Sequence, residues 1–369
     1  MRLRERKFLM KKLNLAIIGQ GRSGRNIHGA YLKTDKNVYY NVVAVVEHDA
    51  KRREIAKGEY PGCEVYSDYR ELFNRNDIDL IVNASFSEMH YEITLDLLCH
   101  GRNVIEEKPM ARNMYECQCL LNAAKESGSV FAVFQQSLYD PSYVFVKEAI
   151  ESGKLGKTEQ VSIRYNSLAR RWDWQTLQSR LAGSVYNTGP HPIGYGLDII
   201  GFENKAEVVY SRLATELTSG DGEDYAKILM TAKDRPLIDI EISAIDAYSN
   251  FMFKVQGSRG TLKVTPKAGG FTYEMKYIVD GENVERPVQY ETLRTEEGLP
   301  TFCKETLVTH TESGEVDGDA FTVGTPKFYE MVYDTLVNGA PLKIRPEDIA
   351  KVVWVMEKVH ADNPLPVKY

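Results

Sequence analysis

A short apolar run ending in a spaced trio of glycines constrains this chain more than any other feature. Leu13-Asn14-Leu15-Ala16-Ile17-Ile18 leads into Gly19-Gln20-Gly21-Arg22-Ser23-Gly24, a GxGxxG pattern. In isolation the pattern is weak, because glycine-rich turns are common. Between a strand and a helix it has a mechanism. The first glycine makes the tight turn, the second lets a pyrophosphate approach the backbone, and the third lets helix pack on strand. The anion then meets unpaired N–H groups and the positive end of the helix dipole. Gly19, Gly21, Arg22, Ser23 and Gly24 are therefore candidate cofactor-binding residues. The pattern also asks for an acidic residue at the end of the next strand, to accept hydrogen bonds from the adenosine ribose. Glu47, closing the run Val42–Val46, meets that requirement. A carboxylate there repels a ribose 2′-phosphate and favours NAD over NADP. His48 and the Lys51-Arg52-Arg53 run could accommodate that phosphate, although a basic run on a helix is first of all a solvated face.

The pattern of strand then helix continues downstream. DLIVNAS, NVIEEKP and VFAVFQQ read as further buried strands, separated by helix-like stretches at 90–100 and 114–127. Strands alternating with helices of this length indicate βαβ units on a parallel sheet, over about residues 13–136. The texture then changes. A helix from Pro141 to about Ser152 precedes the strand TEQVSIRYNS, and a further helix is expected near 190–200. From Glu207 to Tyr277, six alternating strands are joined by Gly- or Asp-containing turns, as in an antiparallel sheet with one wet face. The stretch 285–322 is charged and poorly periodic, and reads as a long excursion. Two helices close the chain, the last with Ile349, Val352, Val353, Met356 and Val359 on one stripe.

At roughly 100–200 residues per domain, 369 residues favour two domains. The net charge of -6 supplies no broad footprint for a phosphate backbone, so nucleic acid is not an expected partner. No run approaches the ~18 apolar residues that span a bilayer, so no membrane partner is expected either. The basic start, residues 1–12, lacks the apolar core and cleavage site of a signal peptide and reads as a loose arm. A cytoplasmic protein is expected. Cys63, Cys99, Cys117, Cys119 and Cys303 are odd in number and lack zinc-site spacing, which fits reduced thiols and no metal.

The chemistry centres on Glu106-Glu107-Lys108-Pro109, directly after the strand Asn103–Ile105. A lysine at the carboxyl end of a parallel strand points into the crevice where such sheets bind ligands. Neighbouring carboxylates can hold or tune its ammonium. Taken alone, the motif is equally a surface turn. With the glycine motif, Glu47, the segment ending at His90 and the later His191 segment, it resembles the glucose–fructose oxidoreductase/inositol dehydrogenase (Gfo/Idh/MocA) family. The resemblance runs from about Leu13 to the C-terminal helix. It implies an α/β protein with an N-terminal Rossmann domain, 13–136, and a C-terminal α/β domain, 137–369. That second domain would carry a large, mainly antiparallel open sheet that makes homodimer or homotetramer contacts, with the last helices packing back on the first domain.

The resemblance also implies site residues. Lys108 would hydrogen-bond the reacting hydroxyl and the cofactor ribose, and His191, in Asn187-Thr188-Gly189-Pro190-His191, would be the acid/base. The usual aspartates of that segment are Asn187 and Gly194 here. Asn187, four residues before His191, is expected to contact the imidazole or a substrate hydroxyl, but it cannot stabilise an imidazolium, which lowers the expected His191 pKa. Ser85 would line the nicotinamide side, His90 would cap and pack its helix beside the cofactor, and Glu107 completes the cofactor set. Arg171 and Trp174, in Arg170-Arg171-Trp172-Asp173-Trp174, suit sugar recognition by ring stacking and charged hydrogen bonds, or equally a subunit interface. Tyr139 and Asp140 are expected to face the same crevice. The implied activity is NAD-dependent oxidation of a secondary hydroxyl on a sugar, polyol or glycoside, such as the 3-position of a glycosyl ring. The alternatives are an NAD-using glycosidase, a redox-recycling enzyme with tightly bound cofactor, and a non-catalytic NAD-binding regulator.

Overall fold

The computed structural model describes residues 11–285, 297–298 and 305–369. Six parallel strands form the first sheet: β1 (Leu13–Ile18), β2 (Tyr40–Val46), β3 (Glu64–Tyr66), β4 (Leu80–Asn83), β5 (Val104–Glu106) and β6 (Phe131–Val133). Their order is β3-β2-β1-β4-β5-β6. β1, β4, β5 and β6 are buried on both faces because helices cover both sides of the sheet. The strand order reverses between β1 and β4, which opens a crevice at their carboxyl ends. The connecting helices include α1, a π-helical stretch Gly24–His28 continued by Gly29–Leu32, then α2 (Ala50–Glu59), α3 (His90–Cys99) and α4 (Met114–Ser127).

The second sheet has eight strands: β7 (Thr158–Asn166), β8 (Glu207–Ala214), β9 (Tyr225–Thr231), β10 (Leu237–Ser243), β11 (Phe253–Gly257), β12 (Gly260–Lys267), β13 (Gly270–Tyr277) and β14 (His310–Asp317). Their order is β14-β13-β12-β11-β7-β10-β9-β8, antiparallel throughout except for the β7–β10 pair. Along β9 burial alternates residue by residue, as one covered face requires. The cover is α5 (Pro141–Glu151) and, after the short α6 (Ser184–Asn187), α7 (Pro190–Ile200). Gly196 lets α7 approach: a Cβ there would stand 2.3 Å from Met230 Cε. The opposite face carries an ion-pair network in which Asp239 joins Arg164 (2.6 Å) and Lys227 (2.6 Å).

β14 corrects the reading of 285–322 as an excursion. His310–Asp317 pairs along its full length with β13. The segment escaped notice because it has almost no apolar residue; as an edge strand it is held by its backbone ladder rather than by a buried face. Residues 286–296 and 299–304 of that stretch, with Cys303, lie outside the described residues, as does the basic arm up to residue 10.

The chain ends in α8 (Thr325–Asn338) and α9 (Pro346–Asp362), which return to the first sheet's side of the molecule. Tyr329 of α8 packs tilted against Tyr31 and edge-on to Tyr40, and the Met114 amide at the start of α4 donates to Glu357 of α9 (2.9 Å). Among the described residues no helix is long and apolar enough to cross a membrane.

Glu106 of β5 is buried, and neither carboxylate oxygen has a well-aligned hydrogen-bond partner among the described residues. Burial pushes its pKa well above the ordinary glutamate value; the Thr94 hydroxyl opposes this and the Glu116 charge adds to it. An acid with a raised folded-state pKa binds its proton more tightly when folded. Its stabilising contribution is complete below the unfolded pKa and is lost as pH rises through the folded value. Glu106→Gln supplies a permanently neutral isostere. Its melting temperature should exceed that of the wild type at pH 8, with the difference shrinking toward pH 4, in paired thermal melts across that range.

Candidate active site

At the crevice mouth, Gly19 takes φ +92°, the left-handed region, and its N–H donates to Val46 O (2.8 Å). A Cβ on Gly19 would fall 2.3 Å from Ala84 O, and one on Gly24 would fall 1.9 Å from Gly19 O. These two glycines answer to packing. Gly21 is different, since nothing lies within 4 Å of where its Cβ would be. It opens onto a cleft of about 890 Å³ that Arg22 and Ser23 also line. Glu47 faces this cleft with its carboxylate held from behind. Oε2 accepts from the Gln20 amide (2.8 Å), and Oε1 accepts from the Asp49 amide (3.0 Å) and lies 2.9 Å from His48 Nδ1. Arg52 stands 3.8 Å away, and both His48 and Arg52 line the cleft.

Deeper in the same cleft are Glu107, Lys108, Asn187 and His191. Glu107 is buried, with Oε1 3.2 Å from His28 Nε2. Burial would raise its pKa, but the His28 contact and the nearby charges of His28, Lys108 and His90 bring it down to about 2. Lys108 follows on the chain and its ammonium donates to the backbone carbonyl of Asn187. Burial lowers the Lys108 pKa; Glu107 opposes this, while Arg22 and Arg171 add to it. His191 lies on the first turn of α7, and its Nδ1 is 2.9 Å from Ser137 Oγ. Burial, then the Lys108 charge, lowers its pKa to about 3 against the pull of Glu107.

Of the two contacts expected of Asn187, the one with the imidazole is not made. Asn187 ends α6 and α7 starts at Pro190, so the two residues do not share a helical turn. The contact Asn187 makes is through its main chain, to Lys108, and the imidazole takes Ser137 instead.

Ser85 and His90 also line the cleft. The His90 ring is nevertheless spent on the protein, with Nδ1 2.9 Å from Pro109 O and Nε2 3.3 Å from Ser85 O. It ties the start of α3 to the strand end that bears Lys108. Arg171 and Trp174 reach the cleft, Arg171 paired with Asp173 (2.9 Å) and Trp174 edge-on to Phe86 (5.1 Å). Trp172 points away and is 93% exposed. Tyr139 and Asp140 do not face this crevice. The turn Gln136–Tyr139 aims the Tyr139 hydroxyl at Met331 Sδ (3.4 Å) and puts its ring on a separate cavity of about 630 Å³. Asp140 caps α5, accepting from the Ser142 amide (2.8 Å). Three contributors escaped sequence reasoning: His28, Ser137 and Tyr165, the last lining the cleft from β7. Only the GxGxxG register hinted at one of them, because His28 lies on the helix that the motif begins.

Among the described residues no group of three or more His, Cys, Asp or Glu side chains could hold a metal. The cleft's donor set fits a dinucleotide instead, on the evidence of the open Gly21 beside a fixed carboxylate.

Comparison with known proteins agrees. Residues 13–135 match an oxidoreductase family model with an NAD-binding Rossmann fold, and residues 143–263 match the GFO/IDH/MocA C-terminal domain. An uncharacterized oxidoreductase of Schizosaccharomyces pombe is 25% identical over 374 residues, covering 96% of this chain and 97% of its own. A scyllo-inositol 2-dehydrogenase (NADP(+)) of Bacillus subtilis is 28% identical over 191 residues, covering 51% of this chain and 52% of its own. Among solved structures, a 3-ketoreductase of Actinomadura kijaniata in complex with NADP and TDP-benzene superposes with a TM-score of 0.77 at 17% identity, covering 96% and 98% of the two chains.

The two kinds of glycine separate experimentally. Gly24→Ala should lose about 1–3 kcal/mol in chemical denaturation, the scale of an overpacked interior. Gly21→Ala should unfold like the wild type while its dinucleotide affinity, measured by calorimetry, falls about tenfold or more.

Proposed function

The chain belongs to the Gfo/Idh/MocA oxidoreductase family, and on that premise we propose that it is an NAD-dependent dehydrogenase oxidising a secondary hydroxyl of a sugar, polyol or glycoside. The observation that carries this reading is the convergence of Lys108 and His191 on the cleft that also holds Gly21 and Glu47. Residues 13–136 would hold the nucleotide. Residues 137–369 would supply the substrate side and, through the outer face of the eight-stranded sheet, subunit contacts.

NAD or NADP, when bound, supplies the hydride acceptor. Gly21, Arg22 and Ser23 would receive its pyrophosphate, and Glu47 its adenosine ribose. The Glu47 carboxylate favours NAD, although Arg52 and His48 beside it are the groups a 2′-phosphate would use. Lys108 spends one N–H on Asn187 O and keeps two for the substrate oxygen, where negative charge develops as the hydroxyl proton leaves. His191, neutral over the working pH range, accepts that proton. Trp174 and Phe86 offer ring faces to the C–H surface of a sugar, and Arg171, Asp173 and Gln175 offer polar groups to its hydroxyls.

The test is a panel of inositols, aldoses and alkyl glycosides assayed for reduced nicotinamide with NAD and with NADP, after release of any bound nucleotide. Turnover with NAD at a lower KM than NADP is expected. Lys108→Ala should reduce kcat about 10²–10³-fold with dinucleotide binding retained. Keto-sugar formation that needs a second carbonyl acceptor would indicate redox recycling, and glycosidic cleavage without net reduction would indicate the hydrolase. A panel with neither, in a protein that still binds dinucleotide, would leave the regulator.

A further inference from the structure

The site has a base without the carboxylate that would ordinarily stabilise its charged form. What surrounds His191 Nδ1 instead is a line of buried hydroxyls drawn from three elements. Ser137 Oγ, on the turn after β6, is 2.9 Å from Nδ1. Tyr195, one turn beyond His191 on α7, is fully buried beside Ser137, and its hydroxyl is 3.5 Å from Tyr165 Oη. Tyr165, on β7, returns to the cleft. The Gln135 side-chain amide is oriented by Pro190 O (2.6 Å) and offers its other N–H to Ser137 Oγ (3.3 Å).

We propose that Ser137, Tyr195 and Tyr165 form a proton relay that lets His191 work through its two neutral tautomers instead of an imidazolium. The proposal rests on the dehydrogenase reading above. The atoms balance. The substrate O–H bond breaks and its proton bonds to His191 Nε2, while its carbon yields a hydride to the nicotinamide. The Nδ1 proton passes to Ser137 Oγ, the Ser137 proton to Tyr195 Oη, the Tyr195 proton to Tyr165 Oη, and the Tyr165 proton to water in the cleft. Reduction of a ketone runs the same chain backwards.

Two features favour a relay over a static bond. A hydroxyl both donates and accepts, so the chain is satisfied in either direction, whereas a carboxylate would hold the Nδ1 proton throughout. The site also opposes an imidazolium, since His191 is desolvated and faces the Lys108 ammonium, with Glu107 the one opposing charge and Asp140 acting on the two tyrosines. A proton passed through the ring avoids that cost.

The test combines rates with a spectrum of the full chain. With the panel's best substrate, under conditions where deuterated substrate shows chemistry to be limiting, the wild type should give a curved solvent proton inventory. Ser137→Ala should lower kcat about tenfold or more with KM within about twofold, and make the inventory linear; Ser137→Thr should restore both. Tyr165→Phe, which keeps the ring, should act in the same direction. In ¹⁵N-histidine spectra, with His191 assigned by His191→Asn, the wild type should show both neutral tautomers in exchange and Ser137→Ala only Nε2–H. A Ser137→Ala enzyme with unchanged kcat and inventory, or identical tautomer signals in the two proteins, overturns the relay. If no substrate turns over, the dehydrogenase reading fails, and the spectra still judge the hydroxyl chain.

Discussion

Glu107 lies buried where β5 ends, with His28 Nε2 3.2 Å away and His28 Nδ1 in turn 2.8 Å from the Tyr329 hydroxyl. A carboxylate in that position must find polar or charged partners to keep its charge. Its partner comes from α1, the helix that follows the glycine motif, and that partner is held by α8 near the end of the chain. Three distant segments therefore meet at one buried contact between a carboxylate and an imidazole. Lys108 inherits its setting from this arrangement. It has an ionised carboxylate behind it and the Asn187 carbonyl ahead, so the ammonium is aimed into the cleft.

Successive residues of an extended chain point to opposite sides, and Glu106, which ends β5, and Glu107, which follows it, show how far that alone can separate identical chemistry. Glu107 meets His28 and stays ionised, its pKa drawn to about 2. Glu106 turns to the side of α3 and α4, meets Thr94 and the like charge of Glu116, and burial pushes its pKa well above the ordinary glutamate value. One carboxylate positions the lysine; the other is the cost of a strand buried on both faces.

Most of the fold was legible because it rests on periodicity. The buried runs of β1, β4 and β5 and the alternation of β9 and β10 read directly from side-chain pattern. β14 did not, since a polar edge strand has no pattern to display. At the site, motif residues landed on the cleft because local backbone rules set them there: Gly19 by its positive φ, Lys108 by the strand end. Tyr139 was misjudged because the direction of a side chain leaving a single turn depends on what packs around it, here Met331. His28 and Ser137 act across 79 and 54 residues of sequence, to Glu107 and His191, and no local pattern encodes such a meeting.

The replacement of the usual acid by Asn187 can now be weighed against its neighbours. An aspartate there would sit beside the carbonyl that receives Lys108 and would draw the ammonium away from the substrate side. Asn187 carries no charge, so the lysine is oriented by a carbonyl dipole and by Glu107 at its back. His191 loses a counter-ion, yet with its pKa near 3 it has no standing charge to balance. On the proposed dehydrogenase reading, Lys108 would be the cation facing the reacting oxygen, and the imidazole beside it would take the proton without competing for the same counter-charge. The partner that His191 does have, the Ser137 hydroxyl, suits a ring that stays neutral.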